Sequence, residues 1–388
     1  MEILENLRKE ASERAIKLSK DKQEGTRIIE YVGNFVPEEM IYAAGAKPYM
    51  MCRGGEPEPP DAVLEDMLRF TNPLARSQCG FYKLGIDPVT PMADLIIASQ
   101  HECHVARMAE YMELLNLPVH KVGVPCDWKR DFTHEYYYDQ LVSMKEKLEE
   151  VTTNKVTDEA MFKYIHLYNE MYDLLRKISD LRKSENPPIS GTDFIKLNHY
   201  TFFAEPEYVI EQLKFIYEEL KDKEGNLGKD APRILVLGHS VAVGDYIVAN
   251  KIEELGAAIV YEMLEEGFRW YQWDIPIEKD PVRGMLRQRY LDKPPVNNLE
   301  PAWGERMEYV EQLIKDYDID GVIWYQLLYD EIWDLEYSCV AKRLDELNVP
   351  FLRVETSYEY TREAMLPLNT RLESYISVLK TRKKGEIA

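Results

Sequence analysis

Ala93-Asp94-Leu95-Ile96-Ile97-Ala98, followed almost at once by Gln100-His101-Glu102-Cys103-His104, is the stretch whose reading decides the fold. The apolar run Leu95-Ile96-Ile97-Ala98 within it reads as a strand buried on both faces, the pattern of a parallel sheet covered by helices. The polar residues after it start a helix, and they fall where open α/β sheets place ligands, outside the carboxyl end of a strand. The same alternation extends upstream. Arg27-Ile28-Ile29-Glu30-Tyr31-Val32 predicts a strand ending at Gly33-Asn34. Pro37 then takes a favoured first helical position, Glu38 and Glu39 suit the first turn, and Gly45 closes the helix. Lys47 to Met51 predicts the next strand, Gly54 to Pro60 a loop, and a helical stretch carrying Cys79 follows. Downstream, Val119-His120-Lys121-Val122-Gly123-Val124-Pro125 leads into Cys126. These units predict a first α/β domain over residues 1–133.

Residues 134–230 read as a helical segment and linker. Tyr136 to Glu150 and Thr157 to Arg182 carry apolar residues at helical spacing, with Thr157 as a cap. Pro187-Pro188 breaks the run, and helices near Thr192–Leu197 and Glu205–Lys221 follow. Asp222 to Pro232 is a polar linker. A second α/β domain is predicted over 231–388, with strands at Arg233–Ser240, Ala257–Tyr261, Ile319–Tyr325 and Pro350–Glu355. Gly238-His239-Ser240-Val241-Ala242-Val243-Gly244 lacks the dinucleotide fingerprint and the Walker lysine, so it does not read as a nucleotide cradle.

A chain of 388 residues exceeds one ordinary core and suggests two domains. Hydrophobic residues at 45% and aromatics at 11% describe a packed globular protein rather than a disordered one. The formal net charge of -21 argues against nucleic acid and anionic membrane surfaces, which demand a basic face. No run approaches the apolar length of a membrane span, and the N-terminus reads as neither basic nor signal-like, so the expected location is cytoplasmic. There thiols stay reduced, and the odd count of five cysteines fits that.

Cys79, Cys103, Cys126 and Cys339 come from separate segments, and three sit where a strand ends or its helix begins. Thiols delivered to one sheet edge suggest a soft-metal or iron–sulfur site, while each cysteine alone also suits a small buried hydrophobe. Cys52 reads as a bystander in a strand. Zinc is the rival metal, with His101 and His104 flanking Cys103, although that spacing lacks the compact pairs of structural zinc sites. Glu102 and His104 are candidates to orient ligands or move protons, or simply belong to a helix start. Ser240 and His239 occupy the equivalent strand end of the second domain and either face a cleft or cap a helix. Asn34 either reaches the cleft or closes a turn.

The segment Val32-Gly33-Asn34-Phe35-Val36-Pro37-Glu38-Glu39-Met40-Ile41-Tyr42-Ala43-Ala44-Gly45-Ala46-Lys47-Pro48 resembles the N-terminal signature of the 2-hydroxyacyl-CoA dehydratase and benzoyl-CoA reductase family. The resemblance continues through Arg76-Ser77-Gln78-Cys79, the strand before Cys103, the helical middle and Asp320-Gly321-Val322-Ile323, and so covers most of the chain. It implies an α/β fold of two flavodoxin-like (Rossmann-like) parallel-sheet domains with a helical layer between them. It also implies a [4Fe-4S] cluster held by three cysteines, here Cys79, Cys103 and Cys339, with Cys126 as the substitute for Cys339. The family's second cysteine column reads Glu102-Cys103 in this sequence, and its third falls at Leu328-Tyr329-Asp330.

The activity so implied is ATP-primed radical dehydration of a 2-hydroxyacyl-CoA, or a related acyl-CoA reduction. An unactivated β-proton is hard to remove, and one-electron reduction to a ketyl radical acidifies it. Glu102, His104 and Ser240 are the expected catalytic groups. Expected partners are a homologous second subunit in a homo- or heterodimer, an ATP-dependent iron–sulfur activator protein and an acyl-CoA substrate. Two other readings stand beside this one: a non-catalytic partner subunit that relays electrons or completes an interface, and a zinc-binding protein.

Overall fold

Among the described residues, eight strands make two separate four-stranded sheets, each entirely parallel. In the computed structural model, residues 2–296, 299–300 and 302–385 are described. The first sheet comprises β1 (Ile28–Val32), β2 (Lys47–Met50), β3 (Leu95–Gln100) and β4 (Val119–Gly123), in the order β2-β1-β3-β4. The second comprises β5 (Arg233–Gly238), β6 (Ala258–Leu264), β7 (Gly321–Leu327) and β8 (Phe351–Thr356), in the order β6-β5-β7-β8. With helices around both sheets, the chain is an α/β protein of two Rossmann-like domains. β1, β5 and β7 are buried along their whole length, whereas the edge strand β4 is half-buried. That is why the inner strands read as continuous apolar runs.

In each sheet the strand order reverses beside the first strand, between β1 and β3 and between β5 and β7. Such a reversal opens a crevice at the carboxyl ends, because the crossover helices leave on opposite faces. The two crevices face one another, so that Glu102 after β3 lies against His239 after β5. Gly33, at φ 90°, makes the turn after β1, and a Cβ there would lie 1.8 Å from Ser99 Oγ. Only glycine tolerates both the backbone angle and that approach.

Helices of the middle segment run at Asp131–Thr152, Asp158–Asp180, Gly191–Tyr200 and Pro206–Leu220. Thr157 is the expected cap, its hydroxyl accepting from Ala160 N at 3.2 Å. The first of these helices starts five residues before Tyr136, so position 133 falls in its first turn. The helix Asp158–Asp180 touches both halves. Tyr168 donates to Glu38, and Arg176 donates to Tyr271 O at 2.8 Å and to Asp274 at 2.7 Å.

Buried ion pairs join the two halves. Arg269 pairs with Glu38 at 2.8 Å, and Arg289 pairs with Glu39 at 2.8 Å. The expected first-turn role of Glu38 and Glu39 is therefore only part of their work. The segment between β6 and β7, which has no clear periodicity, supplies both arginines together with the helices Pro281–Leu286 and Trp303–Asp316. No helix among the described residues is long and apolar enough to cross a membrane.

Candidate active site in the cleft between the sheets

The cleft floor is built from strand ends. After β3, His101 is held from both sides: its Nδ1 lies 2.8 Å from Ser99 Oγ and its Nε2 lies 2.7 Å from Glu266 of the loop after β6. The Glu266 carboxylate outweighs the effect of burial and raises the imidazole to a pKa of about 9, so His101 is a cation at neutral pH. Glu102 follows as the residue that starts the helix Cys103–Leu114. Burial, reinforced by the Glu266 and Glu265 charges, pushes its carboxyl up to about 7, against the opposing pull of His101. Asn34, after β1, donates to Phe268 O at 2.9 Å and to Glu265 O, and so ties the first sheet to the loop that holds Glu266.

From the second sheet, His239 follows β5. Its carbonyl accepts the amides of Glu265 at 2.8 Å and Glu266 at 2.9 Å, which fixes that loop. It is 3% exposed, its ring lies edge-on to Trp333, and neither ring nitrogen has a hydrogen-bond partner among the described residues. Burial lowers the imidazole to about 4, so the ring is neutral. Asp330 follows β7 and starts the helix Glu331–Glu346. It is reached through Tyr329, whose φ of 70° is strained for a side chain of that size. Asp330 is 2% exposed, and its Oδ2 has no partner among the described residues. Burial together with the charges of Glu102 and Glu265 holds its carboxyl well above the usual range. His239 Nε2 stands 3.9 Å from Glu102 Oε2 and 3.7 Å from Asp330 Oδ2. Both distances are too long for hydrogen bonds.

Of the expected catalytic residues, Glu102 faces this floor. His104 is buried and turned to other work: its Nδ1 accepts from Asn72 N at 3.3 Å, and burial lowers its basicity. Ser240 is fully buried, and its hydroxyl has no partner among the described residues. Gly267, at φ 66°, passes close to Cys52, where a Cβ would lie 2.9 Å from Cys52 Cβ, and it packs in ordinary contact beside Ser240 Oγ.

The cysteines are dispersed. Cys79 lies wholly buried among Val32, Met51, Ala98 and Met108, where burial raises its thiol far above the ordinary value. Cys103 is exposed at a helix start, and burial of its sulfur together with Glu102, Glu331 and Asp330 raises its pKa. Cys126 and Cys339 are exposed. Cys339 sits eight positions past Glu331, about 12 Å along the helix axis from the cleft end. Cys52 is buried just beyond β2. One group of His, Cys, Asp and Glu donors spaced within 4.8 Å occurs among the described residues: Glu102, His239 and Asp330. Its atoms are nitrogen and oxygen, so the residues that converge on the cleft floor do not fit a cluster held by three thiolates.

The family model of the 2-hydroxyglutaryl-CoA dehydratase D-component matches residues 34–379. The chain belongs to this family. The match includes both sheets apart from β1, as well as Glu102, His239 and Asp330. Among curated relatives, the chain is 25% identical to the putative dehydratase subunit YjiM of Escherichia coli (strain K12), over 92% of this chain and 93% of the relative. It is 22% identical to a benzoyl-CoA reductase subunit of Thauera aromatica, over 93% of each. It is 21% identical to the beta subunit of (R)-2-hydroxyglutaryl-CoA dehydratase of Acidaminococcus fermentans, over 91% of this chain and 93% of the relative. The family's relatives are thus named as subunits of dehydratases and of a reductase.

Sequence reasoning had reached His239 and Glu102 but not Asp330, Glu266 or Asn34's partners. Asp330 carried two usable signals, its place at the carboxyl end of a central strand beside a switch point and its place in Leu328-Tyr329-Asp330, where the family's third cysteine column falls. Glu265 and Glu266 lie in an aperiodic loop after β6, and nothing local marks them.

Proposed function

We propose that this chain is a subunit of a 2-hydroxyacyl-CoA dehydratase or of a related acyl-CoA reductase, and that the acyl group enters the cleft between the sheets. The observation that carries the reading is Glu102, a buried carboxyl that titrates at about 7 where the two sheets' carboxyl ends meet. Elimination of water from a 2-hydroxyacyl thioester needs a proton delivered to the departing hydroxyl and another removed from the neighbouring carbon. A carboxyl poised near neutrality suits either transfer. Glu102 is the proton carrier in this reading, and the His101–Glu266 pair fixes the wall behind it. A homologous second subunit belongs to this proposal, supported by the subunit names of the relatives, and the ATP-dependent activator belongs to it as what the family resemblance implies. The [4Fe-4S] cluster would need Cys79, Cys103 and Cys339 to converge. The proton transfers on Glu102 take no step from it, and the floor donors are not thiolates.

The test is anaerobic assay of 2-hydroxyacyl-CoA dehydration by the chain together with a homologous subunit, with and without an ATP-dependent electron donor. Turnover should require the complex, and Glu102→Gln should lower kcat by about 100-fold or more. Undiminished turnover in Glu102→Gln would assign this chain the other role, a partner that completes a centre held elsewhere, as the dispersed thiols also suggest. Iron and sulfide determination on anaerobically prepared protein reads the cluster separately.

A further inference from the structure

We propose that Glu102, His239 and Asp330 form a binding site for one divalent transition-metal ion, with the ion seated between the two sheets. Each ligand comes from a different strand end, after β3, β5 and β7. The three donor atoms lie within 4.8 Å of one another. His239 Nε2 is 3.9 Å and 3.7 Å from the facing carboxylate oxygens. Donors that sit about 2.1 Å from one tetrahedral ion lie about 3.4 Å apart, so the two His239 distances, 3.9 and 3.7 Å, close by a few tenths of an ångström, while the carboxylates, within 4.8 Å of each other, draw together by no more than about 1.4 Å.

A second observation points the same way. His239 is 3% exposed and Asp330 is 2% exposed, yet both ring nitrogens of His239 and Oδ2 of Asp330 have no hydrogen-bond partner among the described residues. Buried polar atoms without partners are rare and costly, and Oδ2 is the very atom that faces Nε2. The neighbouring charges do not fill the gap. Arg306 is engaged by Glu265 and by Glu336 at 3.1 Å, and His101 is engaged by Glu266. A cation between the three groups would satisfy His239 Nε2 and the facing carboxylate oxygens of Glu102 and Asp330 at once.

One imidazole and two carboxylates select a borderline-hard ion of the zinc, manganese or ferrous class over a thiophilic one. Three protein ligands leave a position open. A hydroxyl or thioester carbonyl oxygen bound there would be polarised by the ion. The inference rests on the dehydratase or reductase reading for its substrate: with the ion bound, Glu102 is a ligand, and the ion rather than a Glu102 proton polarises the departing oxygen.

Metal binding is measured without turnover. The EDTA-treated full chain is dialysed to equilibrium against Zn²⁺ and its content determined, and Co²⁺ is then loaded to read the ligand set from its absorption spectrum. One ion per chain is expected, with no thiolate-to-cobalt charge-transfer band. Glu102→Gln, His239→Gln and Asp330→Asn, each shown to be folded by circular dichroism, should each weaken binding by at least the roughly 10–100-fold that even an outer-sphere change costs. Cys103→Ser should bind as wild type does. Failure to bind a stoichiometric ion, affinity unchanged in all three variants, or a charge-transfer band that disappears in Cys103→Ser would each overturn the site. Affinity unchanged in all three variants while Glu102→Gln loses turnover removes the ion site and keeps the dehydratase reading. One tightly held ion without any thioester turnover does the reverse.

Discussion

Two regions between the domains bury carboxylates, and they are finished in opposite ways. Around the helix Glu38–Ala43, Glu38 accepts from Arg269 and Tyr168, and both oxygens of Glu39 accept from Arg289, at 2.9 and 2.8 Å. At the cleft floor, His239 stands 3.7 to 3.9 Å from Asp330 and Glu102 with its ring nitrogens open. Burial is similar in the two places, so desolvation alone does not separate them. The difference lies in partners. A buried charge matched within the fold holds the two halves in register, and a buried donor set left unmatched marks a place for something the chain does not itself contain.

The largest test of this contrast is to break the matched region. Arg269→Ala strands Glu38 in the interior and should destabilise the protein by about 3–5 kcal/mol. The double variant Glu38→Met with Arg269→Met should recover most of that loss, since neither charge is then left alone. Urea unfolding reads both as shifts of the midpoint at constant slope. A single variant that costs no more than the double would show that the pair is not a matched unit.

His101 comes next in size. Its folded-state value of about 9 lies above the ordinary 6.5, so its stabilisation is full below pH 6.5 and is lost as pH rises through 9. On the order of 3 kcal/mol should disappear across that window by linkage. His101→Gln should flatten the slope. An equally steep slope in the variant would assign it to another group.

The unmatched region should respond far less. Burial and the nearby carboxylates favour the protonated form of Asp330, so in EDTA-treated protein Asp330→Asn replaces a neutral group rather than a charge and should change stability by less than about 1 kcal/mol. Destabilisation by about 3–5 kcal/mol instead would mean that Asp330 already has a counter-charge and that the floor resembles the Glu38 region.

How much of this was legible in the sequence follows from the same physics. The inner strands announced themselves because burial on both faces forces runs such as Leu95-Ile96-Ile97-Ala98, and Thr157 announced its helix because a cap is local chemistry. Glu102 and His239 were found because they directly follow such strands. Glu38 and Glu39 read only as first-turn acids, since their arginine partners lie 231 and 250 residues away. Cys79 drew attention as a thiol, but its surroundings are apolar side chains from several elements, a fact no spacing encodes. Asp330 stood in the segment of the family's third cysteine column but was passed over because it is not a thiol, and the positive φ of Tyr329 that sets the chain direction there leaves no mark in composition.

The smallest expected effect belongs to Cys339, and it discriminates sharply between sulfur and oxygen–nitrogen chemistry. The residue is exposed on the helix Glu331–Glu346, about 12 Å along the axis from Asp330's end, and its thiol touches no group of the cleft floor among the described contacts. Cys339→Ser should therefore change stability by less than about 0.5 kcal/mol, as surface substitutions do. It should also leave the metal content of the anaerobically prepared protein as it was. A cluster ligand behaves otherwise: its loss would remove iron and sulfide together and lower the unfolding midpoint with them, because a metal centre that binds only the folded chain contributes its binding free energy to folding. Unchanged stability with unchanged metal content in Cys339→Ser, set beside metal loss in Asp330→Asn, would mean that the centre of this chain is held by the ends of its strands and not by its thiols.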